Sequence, residues 1–178
     1  MKIIIYGSKY GTAKEYACEL SKRVNIDIVS YERVKDINKY ETIIYIGALY
    51  AGGVLGMAKT LNKISDIKNK NIILITVGLS DPLNSENINN IRKSIKRQVS
   101  NDLCNNLIIY HLRGGINYSM LSLKHKTMMK LLYEKANRIP VEKRNSETEA
   151  MISTYNKKVS FVDYFGLNDI INEINKYG

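Results

Sequence analysis

Residues able to build a metal centre or a disulfide framework are scarce in this chain. Its 178 residues include two cysteines and two histidines. Cys18 and Cys104 lie far apart in helical patterns with no metal-ligand spacing around them, which predicts reduced, packed thiols. His111 and His125 are too sparse to form a metal site. No apolar run is long enough to cross a membrane. The N-terminus lacks the charged-then-apolar order of a signal peptide, so the expectation is a cytoplasmic protein. Two common phosphate-binding signatures are missing. There is no Gly-x-x-x-x-Gly-Lys-Ser/Thr, and Gly7 and Gly11 do not fit Gly-x-Gly-x-x-Gly. No Ser/His/acid triad or pair of catalytic carboxylates stands out, so no side chain is assigned a catalytic role. Negative charge is also short. Against 27 Lys and Arg stand 17 Asp and Glu, a net charge of +10. With a pI near 9.5 this implies an anionic partner: nucleic acid, a membrane surface, or an acidic protein or ligand. The basic residues are not interleaved with aromatics in any one segment, which weighs against nucleic acid.

What is present is a globular composition, 44% hydrophobic and 25% charged. Together with the length it predicts one domain over residues 1–178. Apolar, β-branched runs at Lys2–Tyr6, Ile26–Tyr31, Thr42–Gly47, Asn71–Gly78 and Leu107–His111 read as strands. Between them lie helical patterns. Ala13, Tyr16, Ala17, Leu20 and Val24 share one face, and Leu55–Asp66 forms a short amphipathic stretch. A third helix is predicted from a Ser85 cap to about Asn101, and a fourth from Leu121 to Ile139. Five strands separated by helices imply an α/β, doubly wound parallel sheet with right-handed crossovers. Residues 140–160 carry few apolar side chains and read as an insertion, a lid or a long connection. Phe161–Leu167 with Ile170, Ile171 and Ile174 predicts a closing amphipathic helix.

In such sheets ligands sit beyond the carboxyl ends of the strands where the winding reverses, between the first and third strands. The loops there are Gly7-Ser8-Lys9-Tyr10-Gly11-Thr12-Ala13 and Ala48-Leu49-Tyr50-Ala51-Gly52-Gly53, with Gly78-Leu79-Ser80-Asp81-Pro82 beside them. The first joins hydroxyls and glycines to a helix N-terminus, whose free amides and dipole suit a phosphate. A strand-to-helix turn in any α/β protein also favours Gly, Ser and Thr, so the local pattern leaves both readings open. Tyr50 is likewise either a ring-stacking residue or an ordinary half-exposed tyrosine.

Tyr6-Gly7-Ser8-Lys9-Tyr10-Gly11-Thr12-Ala13 resembles the first loop of the flavodoxins, whose pattern is Ser/Thr-x-Thr-Gly-x-Thr. Tyr10 and Ala13 stand where that family has threonine. The resemblance implies strand order 2-1-3-4-5 and non-covalent FMN, its phosphate held by Ser8, Lys9, Tyr10, Gly11, Thr12 and Ala13. It implies that Leu49, Tyr50, Ala51, Gly52 and Gly53 line the flavin ring, with Tyr50 stacked on it. The Ala51–Gly52 peptide would lie near the reactive ring nitrogen. Gly78, Leu79, Ser80 and Asp81 would hold the far side, with aliphatic Leu79 where a second aromatic is common. The Gly114-Gly115-x-x-Tyr118 turn and the Met- and Lys-rich helix after it are similar to the flavodoxin-domain family that includes menaquinone-dependent protoporphyrinogen oxidase. That likeness implies an oxidoreductase with a quinone or tetrapyrrole substrate and peripheral contact with an anionic membrane. Two alternatives stay open: an electron-transfer protein that docks on redox partner proteins, and a binding module that has lost its flavin. Ordinary flavodoxins are acidic, so the net positive charge needs its own explanation.

Overall fold

The computed structural model describes residues 1–177. The chain runs through β1 (Lys2–Gly7), α1 (Thr12–Val24), β2 (Ile28–Ser30), β3 (Thr42–Tyr50), β4 (Gly53–Val54) and α2 (Met57–Leu61). It continues through β5 (Asn71–Gly78), α3 (Ser85–Lys96), α4 (Asn101–Asn106), β6 (Leu107–Arg113) and β7 (Gly115–Asn117). It closes with α5 (Leu123–Asn137), α6 (Ser146–Thr154), β8 (Lys158–Ser160) and α7 (Leu167–Asn175).

The main sheet has the order β2-β1-β3-β5-β6, and β4 pairs with β3 off that path. The pairs along the path are parallel, while β4 turns back antiparallel. Counting the parallel strands alone, the order is 2-1-3-4-5, as the resemblance implied. The three central strands are buried on both faces, so isoleucine fills them without alternation. Side-chain parity then splits them between two cores. Ile4, Ile44, Ile46, Ile73 and Ile75 meet α1 and α7 through Tyr16, Ala17, Leu20, Leu167, Ile170 and Ile174. Ile5, Ile43, Tyr45, Ile72 and Leu74 meet α2 and α3 through Met57, Leu61, Ile91 and Ile95. Among the described residues no helix is long and apolar enough to cross a membrane.

Several boundaries differ from the sequence expectation. The predicted Ser85 cap is Asn84, whose Oδ1 accepts from the Asn87 amide at 2.9 Å. The helix predicted to reach Asn101 stops at Lys96, because Ser100 starts a new one by accepting from the Leu103 amide. Residues 140–160 are not a bare connection: they hold α6 and β8, and β8 pairs antiparallel with β7. Asn145 caps α6, while Met151, Tyr155 and Val159 recur every four residues and pack on Ile116, Tyr118, Leu121 and Met129. The Tyr155 ring stacks on Tyr133 of α5 with centroids 3.9 Å apart. The charged residues that made the segment look unlike core lie mostly on its outside.

One phenol ties the late chain to the early chain. The Tyr16 hydroxyl, in α1, donates to the carbonyl of Arg113 at 2.8 Å and accepts from the Asp163 amide at 2.9 Å. Gly7, at the end of β1, lies so close to the segment before α2 that a Cβ would collide with the carbonyl of Leu55. On the α3 side of the sheet, Thr76 Oγ1 is 2.7 Å from Nδ1 of His111. Nε2 of His111 is buried without a partner among the described residues. Burial, and then the charge of Arg92, lowers His111 from 6.5 to about 4, so it is held neutral.

Two predictions follow from this packing. Gly7→Ala should cost about 1–3 kcal/mol in urea unfolding, because the obstruction is backbone and cannot rotate away. For His111 the unfolded chain takes up the proton first. Its contribution is therefore complete above pH 6.5 and is lost as the pH falls toward 4. Unfolding free energies for the wild type should drop more steeply than for His111→Gln over the upper half of that window, before carboxylates titrate.

Candidate functional site

Buried strands can place polar groups only at their ends, and the carboxyl ends of β1, β3, β5 and β6 converge on one edge. At β1 the chain leaves the sheet through Ser8, Lys9 and Tyr10 and enters α1 at Thr12. Gly11 takes φ 101° and gives the helix no side-chain cap. Among the described residues the amides of Thr12, Ala13 and Lys14 have no backbone acceptor, as expected of a first turn. The Ser8 hydroxyl is buried without a partner among the described residues. An orphaned hydroxyl beside a run of free amides is a donor set lacking its acceptor, and it suits a phosphate. Thr12 Oγ1 lies 3.4 Å from the Gly115 carbonyl, a weak bond toward the loop after β6. The Ala13 side chain is buried in the core, so only its amide is available to a ligand.

The second loop is a two-residue hairpin rather than an open loop. Tyr50 pairs with Gly53, and the two residues between them, Ala51 at φ 50° and Gly52 at φ 78°, both lie in the left-handed region. That conformation matches strand twist, which is why β3 runs on to Tyr50 and returns as β4. Ser94 of α3 donates to the Gly52 carbonyl, and Gln98 Oε1 accepts from the Val54 amide at 3.1 Å. The Ala51–Gly52 peptide thus stands at an exposed tip whose flanks are held.

The third loop is braced from below. Asp81 accepts from the Leu83 amide at 2.8 Å, and its carbonyl accepts from Asn87 Nδ2. The Gly78 carbonyl accepts from the Gly114 amide at 2.7 Å, and the Leu79 carbonyl from Arg113 Nε at 3.0 Å. Leu49 lies against Gly78, where a Cβ would come within 2.7 Å of Leu49 Cδ1. The two loops are therefore packed on each other.

The predicted residues of the first two loops meet through Tyr10 and Tyr50, whose rings lie edge to face at 6.4 Å between centroids. Lys9 Nζ is 6.0 Å from the Tyr50 centroid. Ser80 and Asp81 stay with the third loop and, among the described residues, make no hydrogen bond to the first. Three residues outside the predicted set belong to this edge. His125, in the first turn of α5, places Nε2 3.2 Å from the Tyr50 hydroxyl and its ring edge-on to Tyr10. Tyr118 has a buried hydroxyl without a partner among the described residues. Burial, then Tyr155 and Tyr10, pushes it up to about 12, so it stays a neutral donor. Arg113 ends β6. The Gly-Gly-x-x-Tyr turn was a visible signal for Tyr118, but nothing local marked His125 or Arg113.

A sequence profile of the flavodoxin domain matches residues 3–140. Among solved structures, the FMN-bound flavodoxin of Fusobacterium nucleatum is similar at 14% identity and TM-score 0.51, over 99% of this chain and 97% of that one. A flavoprotein of Lactobacillus acidophilus in complex with FMN aligns at 12% identity and TM-score 0.41, over 63% of this chain and 91% of its own. An azoreductase of Bacillus anthracis aligns at 5% identity and TM-score 0.43, over 63% and 85%. No curated protein matches the sequence. At these identities the likeness to solved structures is one of fold.

The hairpin tip gives a direct test. A methyl at Gly52 would meet nothing within 4 Å, so Gly52→Ala isolates the cost of the left-handed backbone. It should lower stability by about 1–2 kcal/mol in urea unfolding, with no change in circular dichroism.

Proposed function

Because this chain belongs to the flavodoxin-domain family, we propose that it binds FMN non-covalently at the carboxyl edge of its sheet and works as a redox flavoprotein. One observation carries the reading: the buried, unpartnered Ser8 hydroxyl beside the free amides at the head of α1. Ser8 and the amides of Thr12, Ala13 and Lys14 hold the phosphate, and Lys9 adds positive charge. Tyr50 offers an aromatic face to the ring and Leu79 an aliphatic one. The Ala51–Gly52 peptide and the braced loop Gly78–Asp81 supply backbone contacts. Tyr10 and His125 pack on Tyr50 and form the outer wall, standing where they exclude water. Bound FMN supplies one- and two-electron transfer, and the protein supplies position and electrostatics.

Within that function we favour an oxidoreductase of the protoporphyrinogen-oxidase type over an electron shuttle. What supports it is the ordered segment after β6. There α5, α6 and the β7–β8 ribbon build a third apolar cluster that reaches Leu79 on the ring loop. A shuttle needs an exposed ring edge and no such wall. The net positive charge suits an acidic substrate or an anionic membrane face.

The protein purified from an expressing cell should be yellow and release FMN in acid. Flavin-free protein should quench FMN fluorescence on titration and bind riboflavin at least 100-fold more weakly, because the phosphate is the main anchor. Ser8→Ala should weaken FMN binding about tenfold, the loss of one hydrogen bond to a charged group. A colourless protein that leaves FMN fluorescence unchanged overturns the flavin reading. With FMN bound, quinone-coupled oxidation of protoporphyrinogen, followed by porphyrin fluorescence, separates the enzyme from the shuttle.

A further inference from the structure

Between the β5–α3 loop and α6 lies an open cleft of about 670 Å³. Arg113 and Arg144 line it, together with Asp81, Glu86, Glu149 and Ser153. Its size is that of a site for a small organic molecule.

The two arginines are held in an unusual way. The Arg113 guanidinium lies over the Phe161 ring, 3.7 Å from the centroid, and its Nε donates to the Leu79 carbonyl at 3.0 Å. Arg144 donates through Nε to the Ile139 carbonyl at 2.8 Å and through Nη2 to the Asn137 carbonyl at 3.2 Å. Neither forms an ion pair with a carboxylate among the described residues. Both positive charges are therefore fixed by neutral partners and left unneutralised. Among the described residues the two Nη groups of Arg113 have no acceptor, although its ring stack and its Nε bond already fix the side chain. An ordered guanidinium with its outer fork open matches a carboxylate in two-point contact, and little side-chain freedom remains to be lost on binding.

The carboxylates of the cleft narrow the choice of ligand. Glu86 and Glu149 sit in the first turns of α3 and α6, where the helix ends favour negative charge. The Asp81 carboxylate accepts from the Leu83 amide. With three acids against two arginines the cleft carries no excess positive charge, which disfavours a polyanion such as a polyphosphate or a nucleic-acid backbone and leaves a single carboxylate on the open fork of Arg113 as the anion that fits. The carbonyl that holds Arg113 belongs to Leu79, so the cleft adjoins the loop assigned to the flavin ring.

We propose that this cleft is the binding subsite for the carboxylate end of an organic substrate, with Arg113 as its anchor. The proposal rests on the flavin reading only in calling the ligand a substrate; the binding itself needs no flavin.

The test compares 2-naphthoate with its neutral analogue 2-naphthamide, by calorimetry and ligand-observed NMR, on protein with and without FMN. Naphthoate should bind at least tenfold more tightly than naphthamide. Arg113→Gln should erase most of that preference, and Arg113→Lys, which keeps the charge but loses the fork, should reduce it at least threefold. Should Arg113→Gln fail to fold, as judged by circular dichroism, the lysine variant carries the test. Equal binding of the two compounds, no binding of either, or a preference intact in both variants overturns the proposal. Competition by inorganic phosphate as effective as by naphthoate also overturns it, since that marks a general anion site. FMN binding is read separately by fluorescence quenching. Loss of FMN binding with the naphthoate preference intact sinks the flavin reading alone, and the converse result sinks only the cleft.

Discussion

A parallel sheet covered on both faces has one place for polar chemistry, the ends of its strands. The central strands here are built on runs of isoleucine and other apolar residues, because each residue faces one of two apolar layers. The hydroxyls that do lie within them are tied up by protein partners, Tyr45 donating to the Leu55 carbonyl and Thr76 paired with His111, and an unpartnered one would be costly. Everything reactive is therefore displaced to the carboxyl edge. There the chain leaves each strand through glycine or a small residue, and neighbouring loops brace one another. Ser8, Tyr50, Leu79 and Arg113 belong to four separate strand exits and owe their proximity to the register of the sheet alone.

That edge is finished by a part of the chain the first five strands do not require. The β7–β8 ribbon, α5 and α6 surround a third apolar cluster, and Leu79 packs against it. Through Arg113 and Leu79 the added layer is joined to the loop after β5 by one hydrogen bond and one aromatic stack. The positive charge takes on meaning in this setting. Two of the arginines behind it are ordered and unpaired at a cleft, whereas the lysines of α3 and α5 lie on exposed faces and serve mainly as solvated surface.

Much of the architecture was legible in the sequence, for a physical reason. Doubly buried strands write themselves as unbroken β-branched runs, and glycine-rich exits mark their ends, so the strands and the three loops could be read directly, while their order in the sheet came from the flavodoxin resemblance. The failures have two causes, one local and one of long range. Ser85 and Asn84 are equally good caps by type, and only the reach of the Asn84 side chain to the Asn87 amide decides between them. The 140–160 segment looked polar because its few apolar residues, Met151, Tyr155 and Val159, have value only against partners some thirty residues earlier. His125 and Arg113 carry no local signature, since a histidine in a basic helix and an arginine at a strand end become informative only when Tyr50 and Leu79 are beside them. Separation in sequence, rather than weak local preference, hid them.

The Tyr16 clasp has a consequence for how the molecule is made. Its two bonds join residues 97 and 147 positions apart, and the opening helix cannot complete them until the chain near Asp163 has been synthesised. A nascent chain on the ribosome thus presents its opening helix long before that helix is pinned. Closing contacts of such long range form slowly. The first helix to be made is therefore among the last to be anchored, and the segment around Asp163 is its latch.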